Sequence, residues 1–316
     1  MSISDSISFP TPVALIIFNR AETTRKVLDV LRKAQVKELF VIADGPRSDM
    51  LTDKKLCSEA RAVIDEIDWA CEVHRNFHDL NLGCGHNPAT GIDWVFTHVD
   101  ECIILEDDCI PHLSFFPYCQ EMLELYRNDT RIMMVSGNNH LLNKVQIPDS
   151  YFFSINTQTH GWATWKRAWK KYDFYMTDWP VVGEFEWLNN FLGNRRYAKG
   201  WLKTLSTTYY EANNNPKYSI WDFQWTYTCW KNHALNIIPS VNLVTNAGYG
   251  ENATHQMTLD HPLANLPLNE MKFPLKHPVE MLQNYNADLA LRETVYGLRP
   301  IYKRIYFKLL RILGLS

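Results

Sequence analysis

The sequence predicts an α/β fold with a mostly parallel central sheet and helices on both faces. Three observations predict it. Apolar runs alternate with amphipathic segments through the first half, polar or acidic residues stand directly after several of those runs, and no Pro/Gly/Ser-rich linker or internal repeat splits the chain. Residues 13–18 are continuously apolar, as in a strand covered on both faces. Residues 21–33 set Val27, Leu28, Val30 and Leu31 among basic side chains and read as a helix. A second strand over 39–43 ends at Asp44, Gly45 and Pro46, and residues 53–67 place Leu56, Ala60, Val63, Ile64 and Ile67 at helical spacing. A short strand over 71–74 leads to a loop over 78–85 and then a helix carrying Ile92, Val95 and Phe96. Residues 102–105 form another buried strand that runs straight into Glu106, Asp107 and Asp108; 115–126 are helical in pattern and 132–135 strand-like. Such alternation argues for parallel strands with crossover helices. Ligands of such sheets gather at the carboxyl ends of the strands. That directs attention to Asn19 and Arg20, to Asp44 and Gly45, to the 78–85 loop and to residues 106–108.

From about residue 151 the pattern is richer in Trp and Tyr and less regular. Helices are expected over 162–171, 196–212 and 221–232, and strands over 234–238 and 241–246. The chain reads as one two-part domain over 1–256, with halves 1–137 and 138–256, then an extended segment over 257–300 and a tail helix over 301–316. In the tail, Arg304, Lys308 and Arg311 share a stripe beside Ile305, Leu309 and Ile312. That pattern suits a basic helix lying in a membrane interface and equally a helix docked on protein.

Composition narrows the function. With 316 residues, 46% of them hydrophobic, the chain can bury a sizeable core and is not a disordered protein. Lys and Arg total 32 against 35 Asp and Glu, and a net charge of −3 disfavours a protein that tracks a nucleic-acid backbone. The seven cysteines are scattered with no CxxC pair, so neither a disulfide framework nor a zinc cage is indicated, and a reducing, cytoplasmic setting is expected. Residues 1–10 show no basic n-region or cleavable apolar stretch, and no apolar run nears the roughly 20 residues a spanning helix needs. The 11 Trp, 15 Tyr and 15 Phe serve as core filler or as platforms for sugar rings.

Chemistry concentrates at a few points. Glu106, Asp107 and Asp108 are consecutive acids at a strand end, which repel one another unless a cation binds or the loop is solvated. A hard divalent cation suits them, because it needs only one or two carboxylates when waters and substrate phosphates complete its shell. The turn after the first strand has no GxGxxG, and no P-loop, HExxH or GxSxG occurs. A nucleotide held at this sheet would need its diphosphate neutralised otherwise, by a metal on Asp108 together with Arg20. Asp222, between Trp221 and Phe223 at a helix start, is either a desolvated general base or a helix cap.

The carrying segments, in order, are Ile16-Ile-Phe-Asn-Arg20, Val41-Ile-Ala-Asp-Gly45, Asn81-Leu-Gly-Cys84 and Ile103-Ile-Leu-Glu-Asp-Asp-Cys-Ile-Pro-His112 followed by Ser114-Phe-Phe116. Gly161-Trp-Ala-Thr-Trp165, Trp221-Asp222 with Trp225, and Gly250-Glu-Asn-Ala-Thr-His255 follow. Together they resemble the GT-A-fold nucleotide-sugar glycosyltransferases, in particular bacterial family-2-like sugar transferases and animal N-acetylglucosaminyltransferase I. The resemblance implies a GT-A fold with a nucleotide-sugar-binding half over 1–137 and an acceptor-binding half over 138–256. It puts Phe18, Asn19 and Arg20 at the donor, with Arg20 on the diphosphate, and Asp44 with Gly45 at the base or ribose. Glu106 and Asp107 then touch ribose or donor sugar, Asp108 holds Mn²⁺ or Mg²⁺, and Trp162 lines the sugar pocket. Asp222 becomes the general base of an inverting enzyme. His255, in a loop that closes over the donor, becomes a metal or phosphate ligand, with His160 a subsidiary candidate. The chain departs from the family at the base, where Phe223 and Gln224 follow Asp222 instead of a second acid.

The implied activity is metal-dependent, inverting transfer from a nucleotide sugar, UDP-linked, to a glycan or lipid-linked glycan in polysaccharide biosynthesis. The implied location is cytoplasmic, with the tail at the inner face of the cytoplasmic membrane. Two alternatives stay open. A nucleotidyltransferase of the same sheet type would want a Gly- and Lys/Arg-rich loop after the first strand, and a non-catalytic sugar-binding protein would not need the acids.

Overall fold

The structure is a computed structural model and describes residues 9–248, 263 and 266–295. The chain runs through β1 (Val13–Ile17), α1 (Ala21–Ala34), β2 (Glu38–Ala43), α2 (Asp53–Ala62), β3 (Glu72–Phe77) and α3 (Gly83–His98). Next come β4 (Glu101–Glu106), β5 (Cys109–Pro111), α4 (Phe115–Leu125), β6 (Ile132–Ser136), β7 (Tyr151–Ser154) and β8 (Trp162–Trp165). The helices α5 (Lys166–Trp169), α6 (Trp179–Val182), α7 (Phe185–Leu192), α8 (Arg195–Asn214) and α9 (Asp222–Lys231) precede β9 (Leu235–Pro239), β10 (Val244–Asn246) and α10 (Tyr285–Val295).

Eight strands form one sheet in the order β3-β2-β1-β4-β8-β6-β9-β7. From β3 to β4 every pair is parallel, as the sequence predicts. Beyond β4 the sheet is mixed: β8 is antiparallel to both β4 and β6, β6 and β9 are parallel, and β7 is antiparallel to β9. Side chains alternate across the strands. In β1, Val13, Leu15 and Ile17 join one apolar layer with Val27, Leu28 and Leu31 of α1 and Met122 of α4. Ala14 and Ile16 face the other layer, with Ile92 and Val95 of α3 and a tryptophan cluster. Burial on both faces is why the strand reads as an unbroken apolar run.

The direction of each strand decides what reaches the functional edge. The carboxyl ends of β1, β2, β4 and β6 lie at one edge. Because β8 runs the opposite way, with Trp162 opposite both Ile104 and Ser136, its amino end and the residues before it reach that same edge.

Several expectations change. The helix expected over 162–171 is strand β8 followed by the short α5. Trp162, Ala163, Thr164 and Trp165 are all buried between two strands, and burial on both faces removes the period that separates strand from helix. The strand expected over 241–246 shortens to Val244–Asn246 and pairs with β5 outside the main sheet. The segment expected to be extended over 257–300 contains α10. Its Asp288 carboxylate accepts hydrogen bonds from Ser154 Oγ (2.5 Å), Gln283 Nε2 (2.7 Å), Asn156 Nδ2 (2.9 Å) and Ile155 N (3.3 Å). Burial nevertheless pushes that carboxyl above its usual range. All seven cysteines are free thiols. Among the described residues no helix is long and apolar enough to cross a membrane. The tail at 301–316 and His255 lie outside the described residues.

Candidate functional site

At the shared edge, residues after β1 and β4, before β8, at the start of α9 and at the end of β10 surround one cleft of about 210 Å³. Arg20 stands just before α1, where the chain leaves β1. Its Nη1 donates to Asp108 Oδ2 at 2.8 Å and lies 3.5 Å from Asp107 Oδ1. Burial opposes the guanidinium charge, but Asp107 and Asp108 outweigh it and raise its pKa. The Phe18 backbone N–H donates to Asp107 Oδ2 at 3.2 Å.

The acids are not fully compensated. Burial, then Asp108, pushes both Glu106 and Asp107 well above the carboxylate range, and Asp107 and Asp222 add to the rise at Glu106. Among the described lining residues Arg20 carries the one fixed positive charge, against Glu106, Asp107, Asp108 and Asp222. Such a surplus of buried negative charge is unfavourable by itself and favours a bound cation.

Asp108 is held by a contact distant in sequence. The β5–β10 pairing sets Asn246 opposite Cys109, so Asn246 Nδ2 approaches Asp108 Oδ1 at 3.4 Å and Ala247 N donates to the Asp108 carbonyl at 2.8 Å. Gly248 follows, and a Cβ there would fall 2.0 Å from Asp108 Oδ2. Only glycine fits so close to this carboxylate oxygen. The carboxylates that meet here offer hard oxygens, which fit Mn²⁺ or Mg²⁺. Among the described residues no three His, Cys, Asp or Glu side chains form a metal cage. A cation here would rest on Asp108, leaving positions for water and phosphate.

Asp222 opens α9, with Trp221 at the cap position. A carboxylate in the first turn is favoured by the helix dipole. Asp222 and Trp221 both line the cleft. His160 lines it too, and burial holds its imidazole below the usual range against the opposing pull of Asp108 and Asp222.

Four expected donor residues are placed elsewhere. Trp162 is 1% exposed and does not line the cleft. It packs among Trp169 and Trp225 and stacks on Trp221 at 5.8 Å, so it supports the cleft wall from behind. Asp44 is used up by its own loop. Its Oδ1 accepts from Leu82 N (2.7 Å) and Gly45 N (2.9 Å), and its Oδ2 from Gly83 N (2.9 Å) and Asn81 Nδ2 (2.9 Å). A carboxylate offers about four lone-pair sites, and all are taken. Gly45 is required for packing, because a Cβ there would meet the Leu80 backbone at 2.4 Å. Asn19 turns away from the cleft and donates to Asp53 Oδ1 at 3.2 Å; Arg47 clamps the same carboxylate and lies over the Phe18 ring. Phe18, Arg20, Glu106, Asp107, Asp108 and Asp222 do come together. Asn246, Gly248 and Thr159 are additions, and no local pattern marks them.

No known protein family and no curated protein matches the chain. Solved structures do. The inositol-1-phosphate CTP transferase from T. maritima is 7% identical, with 73% of this chain and 85% of that one covered at a TM-score of 0.36. Mouse xyloside xylosyltransferase 1 is 12% identical, with 71% and 81% covered at 0.32. A UDP-glucose pyrophosphorylase from Acinetobacter baumanii is 10% identical, with 51% and 76% covered at 0.31. Each is a partial superposition of α/β layers.

Proposed function

We propose that the protein is a metal-dependent, inverting glycosyltransferase that takes a sugar from a nucleotide-sugar donor, UDP-linked, to a glycan or lipid-linked glycan acceptor. The observation that carries this reading is the convergence of Arg20, the 106–108 acids and Asp222 in one cleft from three separate elements. Arg20 offsets the charge of the donor diphosphate. A divalent cation on Asp108, Mn²⁺ or Mg²⁺, supplies Lewis-acid stabilisation of the leaving diphosphate when bound. Trp221 presents an apolar ring to a pyranose face. Asp222 takes the proton from an acceptor hydroxyl as that oxygen bonds to the anomeric carbon. The bond to the diphosphate oxygen breaks on the opposite face, so the configuration inverts. The basic, apolar-striped sequence of 301–316 suits an acceptor carried on lipid at the inner face of the cytoplasmic membrane.

A thermal-shift panel of nucleotide sugars with and without Mn²⁺ tests the reading, since a ligand selective for the native state raises its apparent stability. A shift needing both donor and metal, with metal-dependent release of the nucleoside diphosphate, is expected. Pyrophosphate released from a nucleoside triphosphate and a sugar 1-phosphate would assign nucleotidyl transfer instead. Sugar binding without any donor turnover would leave a binding protein.

A further inference from the structure

The segment before β8 delivers two polar side chains to the cleft, Thr159 and His160, and both are half-buried in its wall. His160 stands where the two ends of the site meet, because the charges of Asp108 and Asp222 both act on its ring. Among the described residues neither ring nitrogen of His160 makes a hydrogen bond, and the Thr159 hydroxyl makes none. The buried His140 ring lies 6.1 Å from the His160 ring, too far for such a bond between centroids to stand in for one. The backbone that carries the pair is fixed on both sides. Thr157 Oγ1 meets Thr226 Oγ1 at 2.5 Å, and Thr226 Oγ1 in turn donates to the Asp222 carbonyl at 3.0 Å. Ser136 Oγ donates to the Gln158 carbonyl at 2.9 Å, and Gly137 N donates to the Gly161 carbonyl at 2.8 Å. The segment is therefore braced to β6 and to the first turn of α9, while the imidazole itself takes no part in the bracing.

Sheet order places the residue. β1, β4 and β8 are neighbours, with Arg20 after β1, the acids after β4 and His160 before β8. Adjacent strands lie about 4.8 Å apart, so the chain leaves β1 and enters β8 roughly 10 Å apart along the edge. Asp222 and Trp221 line the same stretch from α9. With a diphosphate at Arg20 and Asp108 and a base at Asp222, the anomeric carbon falls between them and its ring extends to the β8 side. A neutral imidazole offers an N–H donor and an acceptor nitrogen, and a sugar hydroxyl complements either. We propose that His160 recognises the transferred sugar, its imidazole hydrogen-bonded to a hydroxyl of the ring, with the Thr159 hydroxyl beside it. This inference rests on the glycosyltransferase reading and adds to it a residue that selects the donor sugar.

The full-length protein is labelled with ¹⁵N at histidine, and the His160 ring signals are assigned by their loss in His160→Gln. Separate titrations add Mg²⁺ alone, UDP with Mg²⁺, and UDP-glucose, UDP-galactose or UDP-N-acetylglucosamine with Mg²⁺. The His160 signals are expected to hold still with Mg²⁺ and with UDP and to move with at least one UDP-sugar. His160→Leu is expected to weaken that UDP-sugar by roughly ten-fold while UDP affinity holds. His160→Gln, which keeps a donor and an acceptor, is expected to lose less. Movement with Mg²⁺ alone would make His160 a metal ligand, and movement as large with UDP as with the UDP-sugars would make it a phosphate ligand; either overturns the proposal. Signals that no UDP-sugar moves overturn it as well, and that arm needs no variant to fold. UDP affinity from calorimetry reports separately on the glycosyltransferase reading. UDP that binds while His160 stays still removes the sugar contact alone, whereas UDP and UDP-sugars that do not bind remove both.

Discussion

Asp44 at the end of β2 and the 107–108 pair after β4 stand at the same sheet edge, one strand apart, each a buried acid following a buried apolar run. Around Asp44 the 81–83 loop and Gly45 supply four donors, one for each lone pair. Gly83 helps by adopting a φ of +82°, open to glycine at no steric cost. Around Asp107 and Asp108 the fold supplies the Phe18 N–H, the Arg20 guanidinium and long contacts from Asn246 and the Cys109 thiol, shared between two carboxylates. The same sequence signal thus ends in a loop staple at one strand and an underfilled acidic site at the other. What separates them is how many donors the fold brings to each carboxylate.

The largest expected effect probes the underfilled site. Asp222→Asn should lower kcat by about 10²–10⁴-fold, the usual worth of a positioned general base, while nucleotide affinity holds. Steady-state transfer assays read this, and unchanged kcat would remove Asp222 from the chemistry. Next, Asp108→Asn should abolish the Mn²⁺-dependent part of the donor-induced thermal shift. The ligand-free Tm should stay or rise, because a like charge leaves the neighbourhood of Glu106 and Asp107. A metal-dependent shift that survives would move the cation elsewhere.

Asp44→Asn makes the opposite expectation. The amide must turn a donor toward one pair of the four donors, and a loss of about 1–3 kcal/mol is expected from urea unfolding, with nucleotide binding intact in the folded protein. Full stability with lost nucleotide binding would reverse the comparison and return Asp44 to the donor site.

The smallest effect concerns pH. The Arg47 guanidinium holds Asp53 below the usual carboxylate range, so its contribution to stability is present above the unfolded value and lost as pH falls through the depressed one. Asp44 has the opposite sign. Its carboxyl is raised by burial, so stability declines as pH rises from the unfolded value to the folded one. Urea midpoints measured from neutral to about pH 3, the acid edge of ordinary carboxylate titration, should show Asp53→Asn flattening the acid loss of stability and Asp44→Asn removing the opposing slope.

Legibility followed the range of the interactions. Strands β1, β2 and β4 were readable because two-sided burial needs continuous apolar residues, and their ends located Arg20 and the 106–108 acids. Strand β8 was not, because four buried residues carry no period of their own, and only pairing with β4 and β6 makes them a strand. The family resemblance implies that Trp162 lines the sugar pocket. Its neighbours Trp169, Trp221 and Trp225 arrive from α5 and α9 and enclose it.

By itself the sequence determined which strands end in acids and which helix begins at Asp222, because apolar runs and chain-local polarity set where elements stop. Only the tertiary structure decided which acid is saturated and which is left short of donors. A hydrogen bond reaches about 3 Å, and the atoms that reach those carboxylates come from Asn81, Leu82 and Gly83 in one case and from Arg20 and Asn246 in the other.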